Sequence, residues 1–158
     1  MQDNDFLVTK TDLDSRIIYA NSAFCEQSGF SEQELIGHYH NIVRHQDMPR
    51  GIYNLMWEHL QSGQEFFGYI KNVTKDGSSY WTLANVAPYY DEDTMLGYCS
   101  VRRAPTQTAI EKIVPLYKKM KQAEQEVERD QQLSVSSAVL WQAITKEYQT
   151  YAEFILSL

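Results

Sequence analysis

Ten consecutive residues of this chain hold most of the side chains able to grip a polar ligand: His40-Asn41-Ile42-Val43-Arg44-His45-Gln46-Asp47-Met48-Pro49. A guanidinium presents fixed donors that suit a phosphate or a carbonyl edge. An imidazole donates or accepts according to its tautomer. Asp47 can hold one of these groups in place, and Met48 and Pro49 add apolar cover. Proline also suits the first turn of a following helix, where its missing N–H costs nothing. On spacing alone the run fits either a ligand-binding loop or a loop-to-helix junction of chance polar content. Two amides, Asn72 and Asn85, fall on consecutive predicted strands and offer both donors and acceptors. Trp57, Phe66 and Trp81 are flat and large enough to wall a ring-binding slot, or equally to fill a core. His59 reads as an exposed helix residue, and Glu124–Asp130 as a solvated helix face.

Composition narrows the classes of function. The chain has 158 residues, 43% hydrophobic and 22% charged, with a high aromatic share of 13%. That is an ordinary globular composition. The net charge of −7 argues against a nucleic-acid partner, which would need a basic face. Cys25 and Cys99 form no metal spacing; a disulfide between them is allowed but not required, and a reduced, cytoplasmic protein is the simpler reading. No apolar run approaches the ~18 residues of a membrane span. The polar, acidic N-terminus is not a signal peptide. No nucleophile–base pair and no metal-ligand set stands out, so the expectation is a protein that is not an enzyme, with neither catalytic residues nor a metal.

The elements that position these residues follow from local signals. Residues 6–11 and 16–20 read as a hairpin around the Asp12–Ser15 turn. Asn21 caps a helix that ends at Gly29. Ser31 and Glu34 form a capping box, and Gly37 closes that turn. Pro49 opens a longer helix whose Ile52, Leu55, Met56 and Leu60 share a face. Three strands follow: Phe66 to Val73, Ser79 to Tyr90, and Met95 to Arg102. Asp76-Gly77 joins the first two. The order implies an α+β fold, a five-stranded antiparallel sheet with short helices on one face. Ala104-Pro105-Thr106 marks a boundary, dividing residues 6–105 from a helical tail, 106–158. The tail holds 6 basic and 7 acidic residues, so most of the negative charge lies upstream. It reads as two helices, the second capped near Ser134 and carrying a stripe of Trp141, Ile144, Tyr148, Tyr151, Ile155 and Leu158. That spacing suits a coiled-coil-like seam.

Tyr19-Ala20-Asn21-Ser22-Ala23-Phe24, followed by Ser28-Gly29-Phe30-Ser31, resembles the junction of second strand and first helix in PAS domains. The resemblance covers roughly residues 6–105. It narrows with the run His40 to Pro49, then Met56-Trp57, Lys71-Asn72, Tyr80-Trp81 and Ala84-Asn85. These resemble the PAS sensor of bacterial aerotaxis receptors, and Val114-Pro115-Leu116-Tyr117 is similar to that family's linker. The resemblance implies the PAS fold and non-covalent FAD. It implies Arg44, His45 and Asp47 as flavin-binding residues, with His40 and Asn41 beside them. Asn72 is similar in placement to the amide that reads the ring edge in the LOV flavin domains. The chain departs from LOV in lacking the reactive cysteine, where His45 and Gln46 stand, and in having Thr82 where a second amide is usual. A light-driven cysteine adduct is therefore not expected. Phe66 stands where the aerotaxis pattern often has Trp.

Three functions are consistent with these residues. One is an FAD redox or oxygen sensor whose tail or partner receives a conformational change. Another is a haem gas sensor using His38, His40, His45 or His59. The third is a cofactor-free PAS module for dimerisation or small-ligand binding. Aerotaxis receptors continue into a membrane anchor and a signalling region. The expectation for this sequence is a standalone module signalling to a partner in trans, or a piece of a receptor. The apolar tail stripe must be buried on the sheet, on the first tail helix, or against another copy, and a homodimer through the tail helices or the sheet is the expected form.

Overall fold

The computed structural model of the protein describes residues 6–158. The N-terminal residues read above as carrying no signal peptide lie mostly outside them. Strands β1 (Leu7–Thr11) and β2 (Ile17–Ala20) form the first hairpin. Its turn is closed by Asp12, whose Oδ1 accepts from the N–H of Asp14 at 2.9 Å and of Arg16 at 2.8 Å. Asn21 caps helix α1 (Ser22–Ser28) through Phe24 N–H at 3.0 Å. The same amide accepts from Val8 and donates to Phe6, so one side chain ties the helix to β1. Gly29, at φ 75°, ends α1 in a conformation that a Cβ would strain. The expected capping box of Ser31 and Glu34 opens α2 (Glu32–Leu35). A 3-10 turn, His40–Val43, leads to the loop before α3 (Arg50–Gln61).

Strands β3 (Phe66–Val73), β4 (Ser79–Asp91) and β5 (Thr94–Arg103) complete a five-stranded antiparallel sheet in the order β2-β1-β5-β4-β3. The register decides which side chains share a face. Asn72 pairs with Tyr80, Ile70 with Thr82 and Gly68 with Ala84, while Val86 pairs with Ser100 and Ala84 with Arg102. Ser100 and Arg102 pair in turn with Thr9 and Leu7. These residues form the inner face, beneath the helices. Lys71, Trp81, Asn85 and Val101 have the opposite parity and form the outer face.

The tail folds back on the domain. Helix α4 (Gln107–Gln125) starts at Thr106, whose side chain accepts from Ala109 N–H at 3.1 Å. The second tail helix differs from expectation. It is two helices, α5 (Gln132–Ile144) and α6 (Tyr151–Leu156). A capping box causes the break: Thr150 Oγ1 accepts from Glu153 N–H, and the Glu153 carboxylate accepts from Gln149 and Thr150 N–H. Nor does Ser134 cap α5, which begins two residues earlier. The stripe from Trp141 to Leu158 is thus no straight seam. Ile144, Tyr151 and Ile155 are buried in one core with Ile52, Phe66 and Met120, while Trp141 remains 37% exposed. Each of the three buried residues is worth on the order of 1.5–3 kcal/mol. Their burial within the chain leaves no continuous stripe for a second copy.

The tail also covers a sheet edge. β3 is the outermost strand, and its outward backbone groups would otherwise invite another strand. Tyr117 of α4 donates its hydroxyl to Tyr69 O at 2.9 Å. His45 N–H donates to Lys71 O, and Lys71 N–H points at Met48 Sδ. Where α4 and α5 meet α3, Gly51 N–H donates to the buried Glu124 carboxylate at 3.2 Å, and Arg50 donates to Gln132 at 2.8 Å.

Candidate functional site

Between α3 and the inner face lies a cavity of about 320 Å³, opening past Asp14, Ser15 and Tyr39. That is within the range of small-molecule sites. Helix α3 supplies Tyr53, Met56 and Trp57 as one wall. The sheet supplies Ile70, Asn72, Ser100 and Arg102 as the other. The turn before α3 closes one end with His40, Asn41 and Arg44. Trp57 meets Tyr98 of β5 edge to face, with ring centroids 5.3 Å apart. The cavity is therefore slot-like, with aromatic rings on the helical side and polar groups on the sheet side.

Five of the expected site residues line this slot: His40, Asn41, Arg44, Trp57 and Asn72. The other five do not. His45 turns inward on its own loop, its Nδ1 accepting from Asp47 N–H at 3.1 Å. Asp47 accepts from Lys71 Nζ at 2.7 Å, which holds its carboxyl below the usual range. The pair braces the loop against β3. Phe66 is on the inner face but beyond the slot, stacked on Tyr151 at 5.6 Å and edge-on to His59. Trp81 and Asn85 are on the outer face by register. Trp81 packs near Tyr117 with centroids 6.0 Å apart, and Asn85 donates to Glu65 at 3.0 Å. Asn72 and Asn85 sit on neighbouring strands, but opposite parity keeps them from one ligand edge.

The group the motifs did not reveal is Arg102. It is 5% exposed and stands in the middle of the sheet. Its Nη1 donates to Thr9 Oγ1 at 3.1 Å, and Nη2 lies 3.0 Å from His40 Nε2. Thr9 Oγ1 is 3.0 Å from the same nitrogen. A guanidinium only donates, so His40 Nε2 accepts and the ring is neutral, with its proton on Nδ1. Burial, and then the Arg102 charge, push the His40 pKa down to about 3. Burial lowers Arg102 to about 10, which leaves it charged at neutral pH. The second cation, Arg44, lies over the Tyr53 ring at 3.8 Å. Burial raises the Tyr53 hydroxyl to about 12. Among the described residues, neither guanidinium forms an ion pair with a carboxylate.

Three polar atoms of the sheet wall have no hydrogen-bond partner in the protein: Asn72 Nδ2, Ser100 Oγ and Arg102 Nε. Asn72 is 3% exposed. Buried polar groups are nearly always satisfied, so atoms of this kind around a slot mark where a ligand's polar edge is met. Two of the three are donors only, and Ser100 is either. Among the described residues no three His, Cys, Asp or Glu side chains are grouped to hold a metal ion. The arrangement suits a flat, partly apolar molecule bearing acceptors on one edge and negative charge.

Comparison with known proteins shows the family and the fold. The sequence model described as the PAS fold matches residues 2–103. The chain is 42% identical over 118 residues to the aerotaxis receptor of Escherichia coli K12, covering 75% of this chain and 23% of that receptor. It is 35% identical over 81 residues to a nitrogen fixation regulatory protein of Klebsiella oxytoca, covering 51% of this chain and 16% of the other. The chain thus spans about a quarter or less of the length of these relatives. The LOV domain of a blue-light activated histidine kinase from Erythrobacter litoralis superimposes with a TM-score of 0.59 at 22% identity, covering 65% of this chain and 97% of that one. That similarity is one of fold.

Proposed function

The chain belongs to the PAS family, its PAS domain being of the kind found in the aerotaxis receptor, and from that premise we propose that it binds FAD and reports redox state or oxygen as a signalling sensor without turnover. The observation that carries the reading is the slot itself: aromatic rings on α3 face a sheet wall whose Asn72, Ser100 and Arg102 each keep an unmatched polar atom. These residues fit an isoalloxazine, which is flat and edged with carbonyls and ring nitrogens.

When bound, the flavin supplies reversible electron uptake with a change in the charge and protonation of its ring. Trp57, Met56 and Tyr53 exclude water from one face of the slot. Asn72 stands to donate to the ring edge from β3. Arg44, exposed on the turn that closes one end of the slot, suits the pyrophosphate. His45 and Asp47 act indirectly by holding the Arg44 loop to Lys71. A change at the slot has a short path outward. Helix α3 lines the slot through Tyr53, Met56 and Trp57, and its first turn is held by Glu124 and Gln132 of the tail. The tail then passes the change to a partner protein or a second copy, in the cytoplasm. No helix among the described residues is long and apolar enough to cross a membrane.

The geometry favours flavin over haem. Only His40 of the four histidines lines the slot, and its Nε2 already accepts from Arg102 and Thr9. The test is the visible spectrum of the freshly purified protein, with the released chromophore identified by chromatography. The expected result is a flavin spectrum and FAD. Arg44→Ala and Asn72→Ala should each weaken FAD binding about tenfold or more, the equivalent of about 1.4 kcal/mol. A Soret band, or no chromophore and no binding of added FAD, refutes the reading.

A further inference from the structure

Arg102 is the most unusual charge in the molecule. It sits on the central part of the sheet, nearly without solvent, and among the described residues no carboxylate balances it. A buried charge normally has an ionic partner or an ordered set of hydrogen bonds. Arg102 has two bonds, to Thr9 and to His40, and both partners are neutral. The Phe24 ring lies beneath it at 5.4 Å, which helps to hold a cation but does not neutralise it. The tyrosines beside it, Tyr53 and Tyr80, both have hydroxyl pKa values raised by burial and so stay protonated. Asp14 lies at the opening of the slot and forms no ion pair with Arg102. The protein therefore keeps a positive charge on the floor of the slot, with Nε unmatched.

Resting on the flavin reading above, we propose that Arg102, held by Thr9 and a neutral His40, sets the sensor's reduction potential by favouring the negatively charged, reduced form of the bound ring. Oxidised flavin has an uncharged ring. Two electrons and one proton, delivered by a reductant of known potential, convert it into a ring carrying one negative charge. A guanidinium fixed in a low-dielectric slot interacts strongly with that charge and only weakly with the neutral oxidised ring. It therefore binds the reduced form more tightly, and by linkage raises the potential at which the ring accepts electrons. Thr9 and His40 are positioning residues. They fix the guanidinium without supplying a compensating anion, and the missing proton on His40 Nε2 is what lets it accept from Arg102.

The experiment measures the potential of protein-bound FAD against a dye reductant, together with the affinity for oxidised FAD, in the full chain and in R102Q, R102M and R102K. In R102Q and R102M the preference for reduced over oxidised FAD should fall at least tenfold, which is about 30 mV for a two-electron couple. Affinity for oxidised FAD should fall by a smaller factor. R102K keeps a cation and should retain most of the wild-type potential. Equal weakening of both forms in R102Q overturns the proposal, as does R102K behaving like R102Q. If circular dichroism shows that neither neutral variant folds, the guanidinium is a structural brace and the proposal is equally overturned. Failure of the wild-type chain to bind FAD in either state instead removes the flavin reading on which the proposal stands.

Discussion

Replacing Gly51 with alanine should loosen the tail without touching the slot. A Cβ at Gly51 would lie 2.5 Å from Ser136 Oγ and 2.9 Å from Ser136 Cβ. Rotation about χ1 can move Ser136 Oγ, but its Cβ is fixed to the backbone, so α5 itself must shift. Overpacking of this kind costs about 1–3 kcal/mol. Alanine in a helix returns up to about 0.5–1 kcal/mol over glycine. The shift also endangers the bond from Gly51 N–H to Glu124, a carboxylate only 2% exposed. Leaving that group short of a partner adds about 1–3 kcal/mol. The net expectation is a loss of about 1–5 kcal/mol, concentrated between α3 and the two tail helices. Urea denaturation gives the total, and amide exchange over residues 132–144 locates it. Ser136→Gly in the same chain removes both clashing atoms, so the double variant should recover most of the loss. If Gly51→Ala is as stable as wild type with α5 equally protected, or if Ser136→Gly brings no recovery, the contact is not holding the tail.

Two further outcomes are expected. His40 ordinarily titrates near 6.5 but is held near 3 in the folded chain. The unfolded chain therefore takes up a proton that the folded one refuses, and stability falls as pH drops from about 6.5 towards 3, at up to about 1.4 kcal/mol per pH unit. Denaturant melts between pH 6.5 and 5 should show this slope and lose it in His40→Asn; equal slopes in both would refute it. Thr150→Ala should remove the cap of α6, costing about 1 kcal/mol. It should raise amide exchange at residues 151–156 and disturb the stacking of Tyr151 on Phe66 seen in near-ultraviolet circular dichroism, and unchanged exchange there would count against the capping box as the origin of α6.

Local chemistry was legible wherever one side chain decides the backbone. Asn21, the Ser31 and Glu34 box and the Asp76-Gly77 turn stand where their types place them. The PAS order of elements followed from these. The second tail helix misled because apolar spacing continues across residues 145–150, although Thr150 and Glu153 carry the signature of a fresh start. His40, Asn41 and Arg44, the slot-lining residues before α3, were legible because they cluster in sequence. Those on strands depended on parity. The pairing of Asn72 with Tyr80 puts Trp81 and Asn85 on the far face, a conclusion available only once the register is known. Arg102 was invisible as a motif because its partners, Thr9 and His40, are distant along the chain. The alternation of Tyr98, Ser100 and Arg102 on β5 did carry a signal, a charged residue in line with two inward ones.

The unmatched polar atoms along the slot also bear on how long the protein survives in a cell. Asn72 Nδ2, Ser100 Oγ and Arg102 Nε were sheltered from water as the strands came together, and no protein group hydrogen-bonds to these three atoms. Each such atom left unmet works against the folded state by about 1–3 kcal/mol. A ligand that meets them stabilises the fold in proportion to its free concentration over its dissociation constant. A chain without it opens more often and is cleared sooner by proteases, since a change of 1–2 kcal/mol alters abundance several-fold. The number of molecules would then follow the supply of that ligand, so that a starved cell holds fewer copies rather than many empty ones.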